Sequence, residues 1–264
     1  MPSAPSTPAA AEPRSGTQSV QRAVFLLREI ASRGPMGWGL RDLARHCALD
    51  PGTVHRLLKC LVDERLVAQR ASDRRYVIGP LNFELGLGVP NRLDLMETVP
   101  GVLRRLARAV PKASTVCFLR GEDDCICLAR AGQVHYTGAT TLTRVGQRVA
   151  LLALAGGIAI IAALPAQQAA PVLERNRRRI AAFGTAHLAR VDEILRATRR
   201  DGYAVSEGTL WHGVNSVSLV FGPRGAPLGA VSVSSAADHH SAAALRDALP
   251  ALREAVDALT ERAG

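Results

Sequence analysis

Thr53, His55, Arg56 and Lys59 are hydrogen-bonding side chains spaced so that one side of a helix would carry all four. Between them Val54, Leu57, Leu58 and Leu61 recur at i, i+3, i+4 and i+7, the period of an amphipathic helix, and take the inner side. Two of the outward groups are permanent cations and two are smaller donors or acceptors. Cations of this kind pair with phosphate, and shorter polar groups can reach base edges, so the row suits a nucleic acid. Arg41 lies just upstream, and Arg70, Arg74 and Arg75 follow downstream as further cations for phosphate.

Other chemistry-bearing residues make weaker patterns. Cys117, Cys125 and Cys127, with His135, lack the paired spacing of metal ligands, and alternate cysteines on a strand pack as small hydrophobes. Cys47 and Cys60 fall near the apolar sides of their helices and are expected in the core. His239-His240 precedes a helix as a surface pair. Asp123-Asp124 are adjacent turn carboxylates, expected to point apart into solvent. No glycine-rich phosphate loop, G-x-S-x-G elbow or metal-spaced histidine pair is present. Catalytic residues, metal ligands and a cofactor are therefore not expected, and an enzyme is the weaker reading.

The elements that position the polar row can be read locally. Asp50 is a good N-cap and Pro51 suits the first helical position, where its missing N–H costs nothing. Leu40, Leu43 and Ala44 give the preceding short helix its apolar stripe. After the second helix come two extended runs, 66–69 and 75–78, joined by the polar turn 71–74. Two helices, a tight turn and a basic β-ribbon make a winged helix-turn-helix, with the second helix placed for a DNA major groove.

Composition agrees with a polyanionic partner. The chain has 264 residues, a formal net charge of +10, 47% hydrophobic residues and 4% aromatics. Residues 1–80 hold 12 Lys/Arg against 7 Asp/Glu, so half the net charge sits in the first third. A packaging protein would also be basic, but would leave the long remainder unexplained. Five cysteines without a framework suit free thiols in a reducing cytoplasm. Residues 1–17, rich in Pro, Ala and Ser, are expected to be a disordered tail rather than a signal peptide. The uncharged run 149–164 is shorter than the ~20 residues of a spanning helix, and is expected to be buried in protein rather than in a membrane.

Taken in order, a helix from Ser19 presents Val20, Ala23, Val24, Leu27, Ile30 and Ala31 inward, and Gly34-Pro35 stops it. The winged domain occupies 18–79 and a helical linker 80–91. Residues 92–264 form a second, α+β domain. Its first helix, 92–109, buries Leu93, Met96, Val99, Val102, Leu103 and Leu106, with Pro100-Gly101 a candidate kink. Strands at 114–120 and 125–130 flank the turn 121–124, and Tyr136 and Leu142 lie in short extended pieces. A helix at 155–164 ends at Pro165. The basic region with Arg175 and Arg177-Arg178-Arg179 reads as a solvated helix face rather than a nucleic-acid site. Thr185 caps a helix, 187–200, closed by Gly202. Strands at 203–206, 215–221 and 228–234 and a helix at 241–261 complete an antiparallel sheet bracketed by helices.

The chain resembles the IclR family of bacterial transcriptional regulators. The N-terminal match runs through Ser19-Val20-Gln21-Arg22-Ala23, Leu43-Ala44, Thr53-Val54-His55-Arg56-Leu57-Leu58, Leu61 and Tyr76-x-Ile78-Gly79. The C-terminal match runs through Gly146-Gln-Arg148, Gly157-x-Ala159, Arg200-Asp-Gly-Tyr203-Ala, Gly213-Val214 and Ala230-Val-Ser232-Val-Ser234. The resemblance implies a DNA-binding dimer or tetramer with a GAF-like effector domain that takes a small metabolite, often a carboxylic acid. It implies an effector site at Ala155, Gly156, Ser206, Val214, Asn215 or Ser216, Ser232 and Ser234. The start of the 155–164 helix offers free N–H groups to a carboxylate, and Gly156 lets it come close. Leu152, Leu154 and Ile158 stand where many members carry His, Thr and Lys, and 217–221 is one residue shorter than usual. These departures suggest a greasier site for an aromatic or longer-chain acid. The alternative is that these residues pack elsewhere and the effector site is altered or lost, leaving a regulator that works through oligomerisation.

Overall fold

The computed structural model describes residues 17–89, 92–133, 144–181, 184–208 and 210–263. Tyr136, Leu142 and His135 lie outside them. The chain divides into two compact units, Met1–Pro90 and Asn91–Gly264.

In the first unit, α1 (Gln18–Arg33) precedes α2 (Leu40–His46) and α3 (Pro51–Asp63). Strands β1 (Val67–Gln69) and β2 (Tyr76–Ile78) pair antiparallel, and α4 (Leu81–Leu87) follows. Trp38 adds a bridge to β2, its N–H and carbonyl exchanging bonds with Tyr76 at 3.0 and 2.8 Å. Gly37 makes this possible, because a Cβ there would sit 2.9 Å from the Tyr76 carbonyl oxygen at a φ of +62°. The inward face of α1 differs from expectation. Leu26 and Ile30 are fully buried, whereas Val20 is 63% and Val24 44% exposed, and Ala31 is exposed. The run Phe25-Leu26-Leu27 offers two apolar faces, and the core takes the one centred on Leu26. Cys60 is likewise exposed rather than core, lying one position before Leu61 and so off the Val54–Leu58–Leu61 stripe.

The second unit is a six-stranded antiparallel sheet ordered β5-β4-β3-β8-β7-β6 with helices on both faces. Its strands are β3 (Ser114–Arg120), β4 (Asp124–Gly132), β5 (Arg148–Ala150), β6 (Ala204–Glu207), β7 (Val214–Phe221) and β8 (Gly229–Ala236). One face packs on α5 (Arg92–Ala109), α9 (Ala242–Arg246) and α10 (Leu249–Ala263). The other packs on α6 (Ala155–Ala163), α7 (Ala166–Ile180) and α8 (Thr185–Asp201). Helix α5 runs through Pro100 without a break. The carbonyl that Pro100 leaves unbonded belongs to Met96, which is 57% exposed and not buried as expected; Leu95 takes the inward place. Gly184, not Thr185, caps α8, and the last helix is split between Arg246 and Leu249.

Helix α7 gave no clear period in sequence because its inner stripe, Ala169, Val172, Asn176 and Ile180, contains a polar residue. Asn176 is fully buried and donates to the Asp123 and Val172 carbonyls at 3.0 and 3.1 Å, while accepting from the Leu152 N–H at 3.4 Å. The 3-10 turn Leu151–Ala153 so held leads directly into α6. Residues 155–161 of α6 are all buried, consistent with the expectation of a helix enclosed by protein.

Gly157 is where α6 crosses that turn, and a Cβ there would overlap the Leu151 carbonyl. Gly157→Ala should therefore lower the unfolding free energy of this unit by about 1–3 kcal/mol, read as a reduced denaturant midpoint. An unchanged midpoint would contradict the close crossing.

Candidate nucleic-acid interface and ligand cavity

The α3 helix begins as its sequence requires: the Asp50 carboxylate accepts from the Thr53 N–H at 2.9 Å, and Pro51 opens the first turn. Val54, Leu58 and Leu61 face the core. His55, Arg56 and Lys59 are exposed and Thr53 is half-buried. Among the described residues, the side chains of Arg41, His55, Arg56, Lys59 and Arg74 make no hydrogen bond or ion pair. The outer side of α3 thus keeps its polar groups uncommitted.

A cluster behind the helix pair fixes α2 against α1. The Trp38 indole donates to the Glu29 carbonyl at 2.9 Å, and His46 Nε2 lies 2.8 Å from the Glu29 carboxylate. The Trp38 and His46 rings are 4.7 Å apart, and the Arg33 guanidinium caps the indole at 3.9 Å. Burial, with the Glu29 charge, pushes the Cys47 thiol up to about 12, so it packs as a neutral group.

The wing treats its three arginines differently. Arg70 makes a two-pronged bond to Asp73 at 2.9 and 2.6 Å and donates to the Pro35 carbonyl at 2.9 Å. Arg75 lies 3.7 Å from Asp73 and reaches the Met36 and Gly37 carbonyls at 3.4 Å. These two, expected on phosphate, are occupied in clasping the turn to the segment after α1. Arg74 sits between them at a left-handed φ of 56° and is exposed. Among the described residues it is the wing arginine whose side chain makes no hydrogen bond or ion pair.

In the second unit a cavity of about 40 Å³ lies between the sheet and the start of α6. Its floor is a ladder of hydroxyls. Ser114 on β3 is opposite Ser234 on β8, Ser234 is opposite Ser216 on β7, and Ser216 is opposite Ser206 on β6. Four adjacent strands thus place four serines in one row spanning roughly 14 Å at normal strand spacing. Ser232 lies in the next row and shares a 2.7 Å hydrogen bond with Ser218. Ala155, Gly156 and Val214 complete the residues expected here. The first N–H groups of α6 have no intrahelical acceptor and open on this space. A Cβ at Gly156 would come within 2.9 Å of Ser232 Oγ, so glycine keeps the approach open. Ser114 Oγ is buried and has no hydrogen-bond partner in the cavity wall.

Asn215 is not in the cavity. Strand alternation turns it to the opposite face, where it donates to the His240 carbonyl at 2.9 Å; Ser216 holds the inward position. Leu154 lines the space, but Leu152 and Ile158 are fully buried in the core, so only one of the three suggested greasy positions is a lining residue. Sequence reasoning missed the apolar wall made by Val116, Phe118, Leu210 and Trp211. Val116 and Phe118 share the inward parity of Ser114 and were findable. Leu210 and Trp211 come from the loop between β6 and β7, whose path the pattern did not fix. The Trp211 indole donates to the Ala153 carbonyl at 2.8 Å, tying that loop to the turn before α6.

The remaining candidates are structural. Burial pushes the Cys117 and Cys125 thiols up and holds Cys127 at about 12. Among the described residues no three His, Cys, Asp or Glu converge as metal ligands. His240 bonds the fully buried Ser235 at 2.9 Å rather than standing bare. Asp123 and Asp124 do point apart, but each is partly buried against an arginine, Arg175 at 2.8 Å and Arg148 at 2.7 Å.

Comparison with known proteins gives one consistent match. The family model for the IclR helix-turn-helix domain covers residues 19–71, and that for the bacterial transcriptional regulator IclR C-terminal domain covers 88–261. The chain is 28% identical over 223 residues to the HTH-type transcriptional regulator Rv1719 of Mycobacterium tuberculosis, covering 83% of this chain and 82% of that one. It is 29% identical over 222 residues to the glycerol operon regulatory protein of Streptomyces griseus, covering 82% and 84%. A solved candidate IclR regulator from Silicibacter sp. TM1040 aligns with a TM-score of 0.75 at 26% identity, over 93% of this chain and 96% of that one. An IclR homolog from Microbacterium hydrocarbonoxydans, complexed with 4-hydroxybenzoate, aligns with a TM-score of 0.71 over 93% and 98%. At 19% identity the last likeness is one of fold.

The wing clasp makes a prediction of its own. Hydrogen bonding from Arg70, with added support from the Arg75 N–H and both guanidinium charges, lowers the Asp73 carboxyl to about 2. Because the folded value is depressed, the clasp should be intact above the usual carboxylate range and be lost as pH falls through about 2. Arg70→Ala should return Asp73 toward an ordinary carboxylate titration, followed by carboxyl-carbon NMR. A curve that does not move would rule out the clasp.

Proposed function

The chain belongs to the IclR family of bacterial transcriptional regulators, and from that premise we propose how its own residues divide the work. It is a DNA-binding regulator, and its relatives are regulators rather than enzymes. In this reading α3 lies in the major groove, with Thr53, His55, Arg56 and Lys59 toward the duplex and Arg41 and Arg74 on flanking phosphates. The observation that carries it is the uncommitted outer face of α3, next to a wing whose other arginines are internally paired. The active form is a homodimer, or a homotetramer made of two such dimers. Supporting this, Val20 and Val24 on α1 and Phe83, Leu85 and Leu87 on α4 are exposed apolar residues of the DNA-binding unit.

The effector is a small organic acid. Its carboxylate takes the first-turn N–H groups of α6 and the Ser114 hydroxyl, which lacks another partner. Its other end meets Val116, Phe118, Leu154, Leu210 and Trp211, which favours a ring or short alkyl group over a fully polar acid. The homolog that holds 4-hydroxybenzoate makes that acid a sensible first probe. The competing reading, a lost effector site, is disfavoured because the cavity retains its hydroxyl ladder and its glycine.

Fluorescence anisotropy with the intergenic DNA upstream of the gene tests the first half. Arg56→Ala, Lys59→Ala and Arg74→Ala should weaken binding, and loss of a phosphate contact should reduce the log–log salt slope by about 1. Arg70→Ala should leave the slope unaltered. Equal affinity for upstream and scrambled duplex would overturn the DNA assignment.

The second half is read from Trp211 alone in a Trp38→Phe background. Titration with 4-hydroxybenzoate, benzoate and glyoxylate should shift Trp211 emission and the DNA affinity together, with the aromatic acids acting at the lower concentrations. A response confined to glyoxylate, or none at all, counts against the apolar end.

A further inference from the structure

Among the described residues, none that lines the serine cavity carries a charge. Glu207 follows Ser206 directly, but strand alternation turns it to the opposite face, where it is exposed and pairs with Arg246 of α9 at 2.9 Å. One acidic group can still be held. The first turn of α6 presents N–H groups and the positive end of its dipole, and Ser114 Oγ, buried and without a partner, lines the same space. That end lies over β3 and β8, because a Cβ at Gly156 would meet Phe118 on β3 and Ser232 on β8. Away from it the row of hydroxyls continues to Ser216 on β7, two strands and roughly 9–10 Å from Ser114 at normal spacing. Ser216 is half-buried and makes no side-chain hydrogen bond with any described residue. Ser206, one strand further, is already engaged by the Leu210 N–H at 3.4 Å.

We propose that the effector is a mono-acid with a neutral hydroxyl at its other end, one ring length from the carboxylate, and that Ser216 is the residue that selects it. The proposal rests on the acid-effector reading and adds the second polar group, its charge and the side chain that meets it. A serine hydroxyl both donates and accepts, so Ser216 can satisfy a ligand hydroxyl in either sense. The spacer between the two ends lies against Val116, Phe118 and Leu154. A second carboxylate at the Ser216 end would be withdrawn from water with neither a cation nor a helix terminus beside it. Dicarboxylic acids of the same length are therefore excluded by charge rather than by size.

Three acids on one carbon skeleton isolate the effect. The compounds 4-methylbenzoate, 4-(hydroxymethyl)benzoate and terephthalate differ only in a distal methyl, hydroxymethyl or carboxylate group. Binding to the full-length chain in the Trp38→Phe background is read from Trp211 emission and from the melting midpoint. The hydroxymethyl acid should bind about 3–10-fold more tightly than the methyl acid, the range of one neutral hydrogen bond. Terephthalate should bind roughly 100-fold more weakly than the hydroxymethyl acid, or worse. Ser216→Ala should bring the hydroxymethyl acid down to the affinity of the methyl acid, whose own unchanged binding shows that the variant is folded. Equal binding of those two to the unsubstituted site, terephthalate as tight as either, or a preference that survives in Ser216→Ala overturns the proposal and leaves the acid reading standing. No shift of emission or midpoint with any of the three overturns the acid reading and the proposal with it.

Discussion

An uncharged helix enclosed by protein on every side must still present unbonded N–H groups at its first turn. In α6 the first turn opens on a cavity lined by serine hydroxyls and receives no capping side chain, since Leu154 at the N-cap position offers none. Much of the second unit follows from holding that arrangement. Gly157 lets α6 cross the Leu151–Ala153 turn, Asn176 anchors the turn from α7, and Trp211 ties the β6–β7 loop to its last carbonyl. The four-strand register does the rest, because a one-residue slip in any pair would turn its serine to the opposite face.

The first unit solves a related problem with charges. A basic surface is needed for a polyanion, yet arginines also serve as the longest side chains for clasping turns. The chain assigns the tasks by position: Arg70 and Arg75 bind Asp73 and the backbone near Gly37, and Arg74 is left at the tip by its left-handed backbone. Counting cations in the sequence therefore overstates the charge available to a partner. The paired arginines matter to the shape of the wing, and the unpaired ones to its field.

Much of this was legible in the residues. The Asp50-Pro51 start of α3, the 114–120 strand and Gly202 follow from local rules, and the family resemblance leads to Ala155, Gly156, Ser206, Val214, Ser216, Ser232 and Ser234, which line one cavity. The misses have physical causes. Asn215 was offered beside Ser216 as alternatives, and only the pleat separates them. Two apolar ridges run along α1, and only the tertiary core selects the one through Leu26 and Ile30. Helix α7 is obscured by a buried asparagine, two of whose three partners lie 24 and 53 residues earlier in sequence. The Leu210–Trp211 wall depends on loop closure, which no periodicity encodes.

The central claim is that the first turn of α6 receives the carboxylate of an acid effector. Amide NMR on protein labelled at glycine nitrogen measures this directly, with Gly156 and Gly157 assigned by substitution. Saturable displacement of those two amide signals by 4-hydroxybenzoate, absent when the methyl ester is added, is the predicted result. Stationary Gly156 and Gly157 signals under conditions where the acid still raises the melting midpoint would place the ligand elsewhere and contradict the account.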